Sequence, residues 1–302
     1  MKTLKRAADL PSQQGKLAVI TGGNRGLGFE VAAGLAAAGA QVVLACRDME
    51  KAQGAAERLL QLHPVAQVEA MPLDIADLAS VRRFAQAFET RFAKLDLLIH
   101  NAAAIMVPQG KTANGFELHL GTNHFGPFAL TGLLLARLNA APAARIVNLS
   151  SLAHRLHAGL DMDDPGLNRR PYRPMDAYGR SKFAALLFTQ ELDRRLKASG
   201  ARTMAVAAHP GYTATNLDIG GFFLRLTTRL FAQAPAAGAL PILFAATSDA
   251  VRGGEYFGPG GYKELGGAPK QVECSAEARD PHRAQQLWAL SERLTGVRYL
   301  DA

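Results

Sequence analysis

Cysteine is nearly absent: only Cys46 and Cys274 occur in 302 residues. Two thiols so far apart offer neither metal-ligand spacing nor a disulfide framework, and a reducing, cytoplasmic setting is expected. No window of about 18 residues is unbroken in apolar side chains, so stable membrane insertion is not expected. Lys2-Thr3-Leu4-Lys5-Arg6 carries charge without an apolar stretch behind it, which is not the pattern of a secretory signal. Composition breaks, internal repeats and long linkers are also missing, so residues 1–302 are expected to form one domain with ample core. The formal net charge of +8 is scattered rather than gathered into a stripe. Without a recognition helix or basic-aromatic interleaving, most of that charge reads as solvated surface; it is compatible with an anionic cofactor, and nucleic acid is not an expected partner.

What is present is a regular alternation of short apolar runs with amphipathic stretches, among them helices predicted over Met175 to Ser199 and Pro235 to Thr247. This predicts an α/β fold, doubly wound, with about seven parallel strands and helices on both faces. The first run, Leu17 to Thr21, ends in Gly22-Gly23-Asn24-Arg25-Gly26-Leu27-Gly28, and a helical stretch follows as far as Gly39. Strand, glycine turn and helix is the order a dinucleotide site requires: glycines let the backbone approach a pyrophosphate, and the helix amino terminus favours its charge. The spacing is Gly-x-x-x-Gly-x-Gly, and Gly22, Asn24, Arg25, Gly26, Leu27 and Gly28 are the candidate binding residues. A second strand, Gln41 to Ala45, completes the βαβ context.

That second strand ends in Cys46-Arg47, where an NAD enzyme places an acid for the ribose hydroxyls. A guanidinium there suits a 2′-phosphate, and Arg25 adds a second positive charge, so NADP(H) is favoured. A third strand, Gln67 to Leu73, is followed by Asp74 and Ile75, and a fourth, Leu95 to His100, by Asn101-Ala102-Ala103. Both exits fall on the carboxyl edge of the sheet, where ligands of open α/β folds bind. Asp74 is a candidate partner of an adenine amino group, and Asn101 a candidate brace beside the adenine ribose. Either residue type is also an ordinary turn former.

Tyr178 and Lys182 stand one helical turn apart in Tyr178-Gly179-Arg180-Ser181-Lys182, behind a Ser150-Ser151 pair that closes an apolar strand. At i and i+4 they share a helix face, which would let an ammonium lower the pKa of a phenol and make it a proton carrier for carbonyl chemistry. Alone, such a pair is an ordinary helix surface. Between the two, residues 152–177 hold Asp161-Met162-Asp163-Asp164-Pro165-Gly166, read as a solvated turn rather than a metal site, within a structured loop at the site mouth.

Taken in order, Thr21-Gly22-x-x-x-Gly26-x-Gly28, Asp74, Asn101-Ala102, Asn123, Ser151, Tyr178, Lys182 and Pro210-Gly211 resemble the short-chain dehydrogenase/reductase family over about Lys16 to Gly261. The wording Ala45-Cys46-Arg47-Asp48-Met49-Glu50-Lys51 and Asn148-Leu149-Ser150-Ser151-Leu152-Ala153-His154 is similar to the retinol-dehydrogenase-like branch and its bacterial relatives. The family's usual Asn-Asn-Ala-Gly is His100-Asn101-Ala102-Ala103 here. The resemblance implies a one-domain Rossmann fold, NADP(H), and a lipophilic or aromatic aldehyde, ketone or alcohol as substrate. It also implies that Ser151 polarises the substrate oxygen, Tyr178 passes the proton, Lys182 tunes the tyrosine and holds the nicotinamide ribose, and Asn123 completes a proton relay. Pro210 and Gly211 would close over the nicotinamide, with Thr213 or Thr215 on the carboxamide or pyrophosphate. A substrate lid is expected over about 212–234, with an apolar stretch at Phe222 to Phe231 that could equally pack on the body, and a carboxyl-terminal extension over about 262–302. Family members form dimers and tetramers, and the residues do not select between them. The alternative reading is an NADP(H)-binding regulatory or structural member that performs no redox chemistry.

Overall fold

The computed structural model describes residues 4–157, 159–169, 171–212 and 233–300. Thr213, Thr215 and nearly all of the expected lid lie outside the described residues. Seven parallel strands form the sheet's body: β1 (Leu17–Thr21), β2 (Gln41–Cys46), β3 (Gln67–Pro72), β4 (Leu97–His100), β5 (Arg145–Leu149), β6 (Met204–Ala208) and β7 (Tyr256–Pro259). Every residue of β1 and β4 is buried, as expected of parallel strands covered on both faces. Alternation along β1 divides the core: Ala18 and Ile20 face one layer, Leu17 and Val19 the other.

The first layer consists of α1 (Gly26–Ala37), α2 (Met49–Leu62) and, from near the other end of the chain, Pro235–Thr247. On the opposite face lie α3 (Leu78–Arg91), α4 (Gly126–Asn139), α5 (Pro174–Ala198) and the final helix Pro281–Thr295. Pro235–Thr247 becomes α6 and Pro281–Thr295 becomes α7. Trp288 of α7 meets Phe128 of α4 edge-on at 5.0 Å, packs on Tyr299 at 4.8 Å, and takes the Arg195 guanidinium over its ring at 4.4 Å. Fully burying each such side chain stabilises by about 1.5–3 kcal/mol, more than a surface ion pair contributes, so the carboxyl-terminal helix belongs to the core.

The strand order is β3-β2-β1-β4-β5-β6-β7-β8. The expected seven parallel strands are found, and among the described residues a further strand, β8 (Pro269–Gln271), extends the sheet by running antiparallel to β7, pairing Phe257 with Gln271 and Pro259 with Pro269. Three residues with Lys270 and Gln271 exposed have no period to detect, and a short charged edge strand is a usual way to end a sheet. The order reverses at β1, with β2 on one side and β4 on the other. A crevice opens there at the carboxyl ends of the strands.

Candidate active site

That crevice is a cleft of about 930 Å³, at the upper end of what small-molecule sites occupy. Its floor is the turn after β1, where Gly22 has φ 67° and its N–H donates to Ala45 O at 2.8 Å. A Cβ on Gly28 would sit 2.5 Å from both Asn101 Nδ2 and Gly22 O, so only glycine admits this approach. The helix that follows differs from the next two along the chain. Asp48 caps α2 by accepting the Lys51 N–H at 3.1 Å, and Asp77 caps α3 by accepting the Ala79 N–H at 2.9 Å. The residue ahead of α1, Arg25, makes no such bond, and α1 has no acid in its first turn. Its amino-terminal N–H groups and positive dipole end face the cleft, with no side-chain acceptor among the described residues, which fits a pyrophosphate.

At the rim, Arg47 leaves β2 with its side chain 79% exposed and Nη1 3.9 Å from Asp74 Oδ2. Arg25 is exposed nearby, and no carboxylate stands at the end of β2 itself. Asp74 spends its other oxygen on the Ala76 N–H at 3.0 Å. Asn101 acts as a brace, its Nδ2 donating to Thr21 O at 2.9 Å and Gly22 O at 3.2 Å, which ties the end of β4 to the glycine turn. Ile75, Ala102 and Ala103 line the same wall, with Pro210 and Gly211 at the other end of the cleft.

Ser151, Tyr178 and Lys182 meet in that cleft although a long loop separates the first from the other two. Their helix, α5, is clamped to the end of β5 twice: Ser150 Oγ donates to Lys182 O at 2.9 Å, and Lys182 Nζ donates to Leu149 O at 2.9 Å. The ammonium is 5.7 Å from the Tyr178 ring centroid. The expected lowering of the phenol pKa is not what this arrangement produces. Burial raises Tyr178, with Ser151 alone pulling the other way through a hydrogen bond, and burial pushes Lys182 down to about 8. A buried site penalises both charged forms, and the lysine is engaged by a carbonyl.

Asn123 lies in a π-helical turn, Gly121–Phe125, that interrupts the helix leading into α4. Its Nδ2 donates to Ala104 O at 2.9 Å and Ser181 Oγ at 2.8 Å, and its Oδ1 accepts the Ala104 N–H at 2.8 Å. The amide thus ties the segment after β4 to the turn of α5 that carries Tyr178. A π-turn is one way to aim a side chain out of helical register, and such turns gather at functional sites.

The roles of several residues at the site escaped sequence reasoning. Thr21 Oγ1 accepts the N–H groups of Asn101 and Ala102, each at 3.0 Å; a buried hydroxyl closing an apolar strand was the available signal. His119 is fully buried, its Nε2 accepting the Val107 N–H at 3.1 Å and its Nδ1 lying 3.0 Å from Glu117 Oε1. Tyr172, from the loop ahead of α5, donates to the same Glu117 oxygen at 3.1 Å, docking that loop beside the cleft. Met106 has φ 48°, a strained backbone for a large side chain, in the apolar wall with Ile105, Val107 and Leu118. In the acidic loop, Asp164 is a turn former, accepting the N–H groups of Asn168 and Arg169, each at 2.9 Å.

Residues 16–163 match the short chain dehydrogenase family. Mouse retinol dehydrogenase 12 is 39% identical over 290 residues, covering 94% of this chain and 88% of the relative. Human retinol dehydrogenase 13 is 39% identical over 294 residues, with 94% and 85% covered. Among solved structures, an uncharacterized protein from Mycobacterium paratuberculosis superimposes with a TM-score of 0.82 at 41% identity, covering 97% of this chain and 98% of its own. Pseudomonas aeruginosa RhlG, solved as an NADP active-site complex, has a TM-score of 0.62 at 25% identity, with 81% and 94% covered. With its glycine-turn crevice, its doubly wound sheet and relatives matched over nearly its whole length, the chain belongs to the short-chain dehydrogenase/reductase family of NAD(P)-binding oxidoreductases, in the retinol-dehydrogenase-like branch.

Proposed function

We propose that this oxidoreductase uses NADP(H) to interconvert a carbonyl and an alcohol on a lipophilic or aromatic small molecule. The observation that carries the reading is the meeting of Ser151, Tyr178 and Lys182 in the cleft into which α1 points its uncapped amino terminus. Preference for the phosphorylated cofactor is supported by Arg25 and Arg47, both exposed at the adenine end with no acid closing β2. An apolar substrate is supported by the wall of Ile105, Met106, Val107 and Leu118.

The α1 N–H groups would hold the pyrophosphate, the two arginines the 2′-phosphate, and Lys182 the nicotinamide ribose. Bound there, NADPH supplies the hydride. The chain's own residues handle the proton and the developing charge. Ser151 Oγ donates a hydrogen bond to the substrate oxygen, and Tyr178 gives that oxygen its proton. Because burial raises the Tyr178 pKa, the phenol stays protonated at neutral pH, which suits the acid role and hence reduction. Lys182 keeps a positive charge close to that phenol below about pH 8. Asn123 holds the backbone of Ala104 and, through Ser181, the turn that bears Tyr178.

The test is loss of NADPH absorbance against lipophilic and aromatic aldehydes and ketones, run beside NADH. Turnover that prefers NADPH is the expected result. Tight NADPH binding with no turnover across the panel would favour the regulatory reading.

A further inference from the structure

The loop of the β7–β8 hairpin, residues 260–268, folds back over the turn after β6. Leu265 O accepts the Tyr212 N–H at 3.0 Å, and the hairpin closes through the Gly261 N–H to Gly266 O at 2.8 Å. Within this loop Lys263 and Glu264 both have left-handed backbones, with φ 48° and 59°. Two consecutive non-glycine residues in that region are strained, and strain persists only where the surroundings over-determine it. What the strain achieves is the placement of one carboxylate. Glu264 Oε2 lies 2.9 Å from His209 Nε2, and Oε1 lies 3.4 Å from Arg155 Nη2.

Each partner sits at the base of a loop that frames the catalytic end of the cleft. His209 is fully buried and immediately precedes Pro210-Gly211. Its Nδ1 accepts the Gly211 N–H at 3.1 Å, so its proton is on Nε2 and points at Glu264. Arg155 ends the short helical turn that Ser151 begins, and it also donates to Glu273 O at 2.5 Å. Its neighbour His154 donates from Nδ1 to the carbonyl of Ser151 at 2.6 Å and accepts the Ser275 N–H at 3.3 Å. The rings of His154 and His209 both pack on Tyr256 of β7, at 5.7 and 5.2 Å.

The structure assigns to Glu264 a positioning role: its carboxylate holds His209 in the tautomer that anchors Gly211, and by reaching Arg155 it sets the spacing between the Ser151 loop and the Pro210-Gly211 turn. This inference rests on the hydride-transfer reading of the cleft, because those two loops would present substrate oxygen and nicotinamide to each other. Positioning errors of about an ångström in such a geometry are costly to rate.

Two full-length variants test it. Glu264→Gly removes the carboxylate and strands the buried His209 Nε2–H, while relief of the left-handed strain offsets part of that loss, so the protein should stay folded with a modest fall in unfolding temperature. Amide hydrogen exchange at Gly211 should nevertheless quicken, and kcat for an active carbonyl substrate should fall about tenfold while the NADPH Kd moves less than about threefold, since the adenine end is untouched. Glu264→Gln keeps an acceptor for the His209 Nε2–H but turns an amide NH2 towards Arg155, so it should restore Gly211 protection while recovering only part of the lost kcat. Parent-like exchange at Gly211 or parent-like kcat in Glu264→Gly would overturn the assignment, as would failure of glutamine to restore Gly211 protection. If the parent bound no NADPH, the cofactor reading would fall, and the exchange comparison would still decide whether Glu264 anchors Gly211.

Discussion

The two ends of the cleft are built on different principles. At the end proposed to hold adenine, the turn from Gly22 to Gly28 and the nearby Arg47 offer backbone N–H groups and exposed guanidiniums. The end proposed as catalytic gathers Asn123, Ser151, Tyr178 and Lys182 from three separated stretches, with a half-buried phenol and a buried ammonium whose charge is set by what surrounds them. Affinity should therefore respond to charge and salt at one end, and turnover to pH and geometry at the other.

The largest effect expected is at the catalytic end. Tyr178→Phe should lower kcat by about 10²–10⁴-fold, the range of a lost general acid, while NADPH still binds in a fluorescence titration. Unimpaired turnover would remove Tyr178 from the mechanism and erase the contrast. Reversing the charge at the other end, Arg47→Glu, should weaken NADPH by about 10–100-fold through lost charge-assisted bonds, with NADH affinity and kcat little changed. Equal weakening of both cofactors would mean that Arg47 does not read the 2′-phosphate.

A pH profile sharpens the comparison next. Lys182 is charged below about pH 8 and neutral above it, because burial depresses its pKa. As pH rises past that value, kcat/KM for NADPH, which reports the free enzyme, should fall about tenfold per pH unit if the charge is needed. A flat profile to pH 10 would show that the ammonium is dispensable. The smallest effect belongs to the seam between the ends: Thr21→Val would strand the N–H groups of Asn101 and Ala102, costing about 1–3 kcal/mol in denaturant unfolding and little in kcat. A loss of turnover as large as that of Tyr178→Phe would instead make Thr21 part of the chemistry.

Much of this was legible along the chain. The predicted helix Pro235 to Thr247 is found with the same bounds, and Met175 to Ser199 is displaced by one residue at each end, because apolar periodicity and a proline start mark helices locally. The glycine turn was equally readable, since its geometry is a property of consecutive residues. The β8 strand, the Glu117–His119–Tyr172 cluster and the link from Glu264 to His209 were not, because each joins segments with no shared local pattern. The protonation balance at Tyr178 also went the other way: spacing puts a lysine one turn from the phenol, but burial decides the pKa of both.

By itself the sequence determined the doubly wound α/β class, the dinucleotide turn and the roster of candidate catalytic side chains, because strand, turn and helix signals and motif order are carried by near neighbours. Only the tertiary structure decided which carbonyl engages Lys182, which backbone Asn123 restrains, and which carboxylate reaches His209. Those outcomes depend on desolvation and on contacts across the sheet edge, and both come into being only when distant parts of the chain are packed together.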